Sequence, residues 1–227
     1  AIAGGIVSSI STKDLSRLQG YLLIFLLAVA LFLFVILPVI IYIFTPFKPS
    51  KVLKILRPTL ITIFATGKII VVFPQLIENI KQILDEQNLG DKESKSTVDL
   101  IMPLAYPFPN LGTFMIFVFV PFAAWYTGLK LTIEDYPLFL SSTPLSSFVA
   151  PITGLPFSLD LMGIPKDSFQ LFVVSTVLTD RIRVVLGAFQ LVLLSLLTVA
   201  SLKNEIIVKN KTSNIKRTAI RSAREFN

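Results

Sequence analysis

The segment VVSTVLTDRIRVVL, residues 173–186, places one acid and two arginines inside a long apolar run. A second apolar segment, FATGKIIVVFP at residues 64–74, holds Lys68 in the same way. A charge at membrane depth costs about 3 kcal/mol or more, so it normally faces a protein interior or a water-filled path and has a partner. The two segments therefore indicate a membrane-embedded chain whose interior charges are candidate functional residues.

The composition agrees with a membrane protein. Hydrophobic residues make up 53% of the chain and charged residues 15%, whereas a soluble domain carries about 25% charged residues. Residues 20–47 contain no charge, and this run is long enough for a helix to cross a hydrocarbon core of roughly 30 Å. We therefore predict an all-α integral membrane protein of the plasma or inner membrane.

Histidine and cysteine are absent from the sequence. Their absence excludes cysteine nucleophiles, Ser-His-Asp triads and zinc sites built on these ligands. No glycine-rich phosphate loop or GxSxG motif occurs either. We expect a protein that is not an enzyme and carries no metal or other cofactor. Because the basic residues lie beside apolar segments, the expected partner is membrane lipid and not nucleic acid.

Two basic segments set the predicted orientation. Residues 48–57 contain Lys and Arg but no acid, and residues 203–227 form a basic tail. The positive-inside rule predicts that both are cytoplasmic. The tail is interpreted as an orientation signal with a disordered end, and contact with anionic lipid is the alternative. Since the sequence starts at Ala1, we expect it to be a piece of a longer protein.

The apolar segments follow a repeated order. An interrupted segment precedes a full span, and then the same order returns. Segments interrupted by glycine or proline in two corresponding halves indicate re-entrant helical hairpins in an inverted repeat. Pro151 and Pro156 are both candidates for the second tip. The predicted organisation is an N-terminal stub with a transmembrane helix (1–57), a first re-entrant hairpin with a broken transmembrane helix (58–128), a second re-entrant hairpin with a final transmembrane helix (137–202), and a basic cytoplasmic tail (203–227).

Three motifs occur in a fixed order along the chain. Residues 64–74 are similar to FxTRSSxxTLP, and PLAYPFPNLGT at residues 103–113 is similar to PLGATINMDGT. A Gly-Ile-Pro turn then precedes a DxxR pattern at residues 180–183. Through these motifs, residues 14–202 resemble the transport domain of the glutamate-transporter-type dicarboxylate/amino acid:cation symporters.

This resemblance implies secondary active transport by alternating access, with a small organic anion such as a dicarboxylate or an acidic amino acid as substrate. It also implies a homotrimer. The implied substrate-binding residues are Thr113, Asp180 and Arg183, and Lys68 lies at the matched tip of the first hairpin. One alternative is a degenerate, non-transporting member that serves as a membrane sensor or assembly module. An unrelated polytopic membrane protein is a second alternative.

The chain departs from the family motifs at the sodium-site positions. The family has Asn or Asp there, whereas this chain has Pro109 and Leu111 in the broken helix and Gly187 and Leu191 in the final helix. Hard cations prefer oxygen ligands, and none of these side chains contains oxygen. We therefore expect no sodium coupling of the family kind, with a proton or another ion as the coupling ion.

The interior charges each allow two interpretations. Asp180 and Arg183 lie on one helical face, with Arg181 turned about 100° away. Arg183 forms either a bidentate fork for a substrate carboxylate or an ion pair with Asp180. Lys68 either pairs with Asp180, or it is hydrated in a cavity or pairs elsewhere. The Phe-rich run at residues 114–122 is expected to face lipid.

Overall fold

The computed structural model describes residues 12–165 and 168–205. Within these ranges every regular element is a helix, and no strand occurs. The all-α prediction is therefore confirmed for the part of the chain that the structure describes. The predicted N-terminal stub up to residue 11 and the basic tail from residue 206 onward lie outside the described residues.

The helices are numbered in chain order, and their bounds are α1 Thr12–Leu31, α2 Leu37–Phe44, α3 Pro49–Thr66, α4 Phe73–Asp85, α5 Lys92–Ala105, α6 Leu111–Phe114, α7 Phe119–Thr127, α8 Tyr136–Ser146, α9 Pro151–Leu161 and α10 Phe169–Leu202. A π-helical segment, Phe32–Ile36, joins α1 to α2. Short 3-10 turns occupy Ile69–Val72, Met115–Val118 and Ile133–Asp135.

These helices form two compact units. Of the described residues, the first unit comprises those up to Phe32, Ile63–Val71 and those within Phe108–Ala188, and the second comprises Leu33–Thr62, Val72–Pro107 and those from Phe189.

Within the part of the chain that the structure describes, two stretches are long and apolar enough to cross a membrane. They are Ser16–Phe44, which joins α1 and α2, and Phe169–Leu202, which is α10. The first agrees with the charge-free run predicted to span, and it ends where the Thr45 hydroxyl donates to the Ile41 carbonyl at 2.6 Å. By length and composition, both helices fit a location in a membrane.

The first interrupted segment consists of two helices joined by a sharp turn. α3 ends before Gly67, whose φ is +70°, and glycine adopts this left-handed conformation without steric cost. Asn79 of α4 ties the two helices together, because its Nδ2 donates to the Ile55 carbonyl at 2.9 Å and to the Thr59 hydroxyl at 3.1 Å. The segment is thus not one continuous helix, although α3 already begins at Pro49.

The second interrupted segment consists of α8 and α9, which meet through small residues. Ser146 and Ser158 are buried, and Ser158 Oγ donates to Ser146 Oγ at 3.0 Å. A Cβ added to Gly154 would lie 2.3 Å from the Ser146 carbonyl oxygen. Small residues allow membrane helices to approach this closely. Pro151 opens α9 and Pro156 lies inside it, so the interruption lies between Ser146 and Pro151.

The break predicted before residue 113 is also present. α5 ends and α6 begins on either side of a gap that contains Pro107 and Pro109, and proline lacks the N–H that a continuing helix needs. Asn110 caps α6, because its Oδ1 accepts a hydrogen bond from the Thr113 backbone N–H at 3.2 Å. Asn110, which follows the two prolines and precedes α6, therefore positions the candidate residue Thr113.

The prediction that residues 114–122 face lipid is wrong for the centre of this run. Phe117 and Phe119 are buried, and the ring of Phe119 packs against those of Tyr21 and Phe172 at centroid distances of 5.3 and 5.4 Å. A run that is apolar all round a helix must direct one side toward the protein core. These rings form part of the core of the first unit.

In the second unit, ion pairs join the polar ends of the helices. Lys203 lies 2.7 Å from both Asp91 and Glu93, at the start of α5. Lys81 on α4 lies 2.9 Å from Asp99 on α5. The hydrogen bond from Lys203, followed by those from Ser94, holds the pKa of Asp91 well below its usual range. These pairs lie outside the two candidate membrane spans.

Candidate functional site

Asp180 and Arg183 form an ion pair on α10. Nε of Arg183 donates to Oδ1 of Asp180 at 2.8 Å. The Arg183 side chain is 18% exposed and that of Asp180 is 46% exposed. The shared face that the spacing predicts is therefore present, and each charge has the partner that a partly buried charge requires. That Arg183 also binds a substrate carboxylate stays a prediction.

The start of α6 lies directly against the backbone of α10. A Cβ added to Gly112 would lie 2.0 Å from the Arg183 carbonyl oxygen, and a Cβ added to Gly187 would lie 2.4 Å from Asn110 Oδ1. Both glycines are thus needed for close approach. The contact places Thr113, which follows Gly112, in the turn that touches α10 at Arg183. The structure therefore brings Thr113 close to Asp180 and Arg183, which the motifs also indicated.

Lys68 occupies an exposed position at the turn of the first interrupted segment. Its backbone N–H donates to the Thr66 hydroxyl at 3.4 Å. Its ammonium group forms no ion pair with another residue in the described part of the chain, and the partner of Asp180 there is Arg183. Of the two interpretations of Lys68, the pair with Asp180 is not formed.

α10 contacts the first turn through Arg181, and no pattern in the sequence predicts this contact. Nη1 of Arg181 donates to the carbonyl oxygens of Phe64, at 3.3 Å, and of Ala65. A Cβ added to Gly67 would lie 3.8 Å from Arg181 Cγ. The last carbonyls of a helix lack intrahelical donors and carry partial negative charge, so a guanidinium there satisfies and stabilises the end of α3.

Tyr21 is a second polar group at this site that the sequence did not reveal. Its side chain is 2% exposed and Ser175 is 1% exposed. The Tyr21 hydroxyl interacts with Ser175, and the charges of Asp180 and Arg183 lie within electrostatic range. Since Ser175 Oγ donates to the Phe172 carbonyl at 2.7 Å, it is free to accept from the Tyr21 hydroxyl. A tyrosine within an apolar helix gives no sequence signal that separates it from a packing residue.

A family comparison assigns this arrangement to a class of proteins. The model of the sodium:dicarboxylate symporter family matches residues 1–199. The chain belongs to this family. Members of the sodium:dicarboxylate symporter family are membrane transporters of dicarboxylates or amino acids and not enzymes. A comparison with curated proteins found no match.

The family name implies a bound sodium ion, but the side chains at the matched positions of this chain are poor ligands for it. Pro109, Leu111, Gly187 and Leu191 supply no side-chain oxygen. The Oδ1 atom of the neighbouring Asn110 is occupied by the Thr113 backbone N–H. Within the described residues, no group of three or more Asp or Glu side chains is arranged to hold a metal ion.

Proposed function

We propose that this chain forms the substrate-carrying part of a secondary active transporter for a small organic anion such as a dicarboxylate or an acidic amino acid. The transporter works by alternating access and is not coupled to sodium in the usual manner of the family. The observation that supports this most is that α10 contacts the start of α6 at Arg183, the partner of Asp180, and contacts the turn of the first interrupted segment through Arg181. Family membership supplies the class of transported solute.

Arg183 is the residue proposed to hold the carboxylate. In its pair with Asp180 it donates through Nε, whereas a bidentate bond to a planar carboxylate can be made through the Nη groups. The pair and substrate binding are thus compatible. Thr113 is proposed to donate its hydroxyl to the same anion, Asp180 to hold Arg183 or an amino group of the substrate, and Lys68 to add positive charge at the first turn.

The two interrupted segments are proposed to be re-entrant hairpins that open and close the site. Hydrogen bonds join the two helices of each segment. Those of Asn79 join α3 to α4, and that of Ser158 joins α9 to α8. In lipid, an interrupted segment must satisfy its polar groups internally or line a cavity, and these ties supply internal partners. The proposed arrangement puts the basic tail in the cytoplasm and assembles the chain as a homotrimer in the plasma or inner membrane.

Uptake into proteoliposomes tests the substrate and its coupling. Radiolabelled dicarboxylates and acidic amino acids are offered in sodium buffer and in choline buffer, each with and without a pH gradient. We expect uptake of at least one anion at equal rates in the two buffers, with dependence on the pH gradient if a proton is the coupling ion. A steep dependence on sodium would show that backbone carbonyls suffice as ligands and would refute the coupling proposal.

Substitution of Arg183 tests the binding role. Lysine keeps the charge but cannot reproduce a bidentate fork, so Arg183→Lys is expected to weaken anion binding by about 2 kcal/mol or more, roughly thirtyfold in affinity. Arg181→Lys is expected to have a smaller effect on affinity, and exposed Arg57 provides the matched control as Arg57→Lys. Equal affinities for the Arg183 and Arg57 variants would contradict the role of Arg183.

The second candidate is a non-transporting family member that acts as a sensor or assembly module. The loss of oxygen-bearing side chains at Pro109, Leu111, Gly187 and Leu191 favours it, since the driving-ion site is the part a non-transporting member can lose. The two candidates differ in one measurement. Folded, reconstituted protein that binds and transports none of the offered anions supports the module and refutes the carrier.

A further inference from the structure

The first unit contains an apolar groove between α1 and α7, and neither Asp180 nor Arg183 lines it. Its volume is about 500 Å³, within the range of small-molecule sites, about 300–1,000 Å³. Ile24 and Trp125, on opposite walls, are 60% and 63% exposed. Gly20 forms part of the floor, and a Cβ added there would meet no atom within 4 Å. The floor of the groove therefore has free space at Gly20.

One end of this groove carries a positive charge. Arg17 lines it, and its guanidinium carbon lies 5.5 Å from the centroid of the Tyr126 ring. Such a cation–π contact orients the guanidinium without neutralising it. Among the side chains that the structure describes, from residue 16 onward, Arg17 forms no ion pair with an acid. Trp125 and Tyr126 stand beside it, and these two residue types are enriched at the level of lipid headgroups.

The packing below the groove keeps its shape. The ring of Tyr21 lies 5.2 Å from that of Phe122 and 5.3 Å from that of Phe119, measured between centroids. Phe122 in turn contacts Trp125 at 5.9 Å. An aromatic layer thus joins α1 to α7, and the groove lies on its outer side as a preformed surface.

We infer that this groove binds one anionic phospholipid, with its phosphate at Arg17 and an acyl chain along Gly20 and Ile24. An apolar channel suits the acyl chain, and an arginine suits a phosphate because its fork matches the phosphate oxygens. The position of Arg17 in the first turn of the span Ser16–Phe44 agrees with headgroup depth. This inference does not depend on the transported substrate. It can hold even if the proposed transport function is refuted.

Fluorescence quenching tests the inference, because Trp125 is the only tryptophan in the sequence. The chain is reconstituted in phosphatidylcholine vesicles that contain a small, equal fraction of either phosphatidylglycerol or phosphatidylcholine with brominated acyl chains. We expect brominated phosphatidylglycerol to quench Trp125 at about fivefold lower mole fraction, the selectivity that one arginine near a membrane surface provides. Equal quenching by the two lipids would overturn the inference.

Three variants complete the test. Arg17→Gln is expected to abolish the preference for phosphatidylglycerol, whereas Lys130→Gln, which removes an exposed charge after α7, is expected to leave it intact. Gly20→Leu fills the open floor and is expected to weaken quenching by both lipids. Loss of selectivity in Lys130→Gln to the same extent would indicate general surface charge and overturn the site. Absence of quenching by either lipid would show that protein covers the groove, which also overturns it.

Discussion

Arg181 is predicted to hold the first turn against α10, and its removal provides a direct test. In Arg181→Gln the guanidinium is lost and the carbonyls of Phe64 and Ala65 lose their donor. A hydrogen bond from a charged donor contributes about 1.5–3 kcal/mol. Arg181 is exposed and its bond to Phe64 is long, so we expect about 2 kcal/mol in total. That value corresponds to a roughly thirtyfold rise in the population with the turn released.

A single engineered cysteine can report this release, because the sequence contains no cysteine. Ile69 follows the turn and is 8% exposed, so an Ile69→Cys thiol reacts with a polar maleimide only when the turn opens. When opening is fast and labelling slow, the labelling rate follows the open population. We expect Arg181→Gln to raise the rate about thirtyfold, with Arg57→Gln, an exposed arginine of α3, as control. A rate within about twofold of the parent, on that scale, would refute the anchoring role of Arg181.

Three further predictions concern packing and pH. Gly112→Ala is expected to lower thermal stability in detergent by about 3 kcal/mol or more, because its Cβ overlaps a backbone oxygen that cannot move aside; a melting temperature like the parent's would contradict this. Gly187→Ala is expected to be destabilising by about 1–3 kcal/mol, and adding Asn110→Ala should recover part of the loss, although it removes a helix cap; additive losses would show that the two residues do not compete for space. Lys203→Gln is expected to lower the melting temperature at pH 7, and by progressively less as the pH is lowered below about 3.9. The depressed pKa of Asp91 makes this ion pair stabilising above the unfolded pKa of about 3.9, and its contribution is lost as the pH falls further. A difference in melting temperature that does not shrink as the pH falls from 7 to well below about 3.9 would exclude this ion pair as the cause.

The sequence predicted the helices and their interruptions because these depend on local chemistry. Apolar length fixes a span, glycine permits the turn at Gly67, and proline prevents continuation before Asn110. The Asp180–Arg183 pair was predictable for the same reason, since residues three apart share a helical face. Each of these features is contained within a few consecutive residues.

The remaining site contacts join residues that are far apart in the sequence. Arg181 and Ala65 are separated by 116 positions, and no periodicity indicates which of two nearby arginines turns toward a helix end. The same holds for Tyr21 and Ser175. Lys68 was predicted to lie in the interior because it interrupts an apolar run, yet the run bends at Gly67 and leaves its side chain exposed. Contacts of this kind are set by three-dimensional packing, which composition and spacing do not specify.

The hydrogen bond between Ser146 and Ser158 has a consequence for movement. Both hydroxyls belong to the second interrupted segment, so α8 and α9 can shift together without breaking this bond or exposing either group unpaired to lipid. The turn of the first segment differs, because Arg181 of α10 donates to its carbonyls and must release them before it moves away. Displacing the first turn therefore carries an energetic cost in lost hydrogen bonds, whereas the second segment takes its internal bond with it.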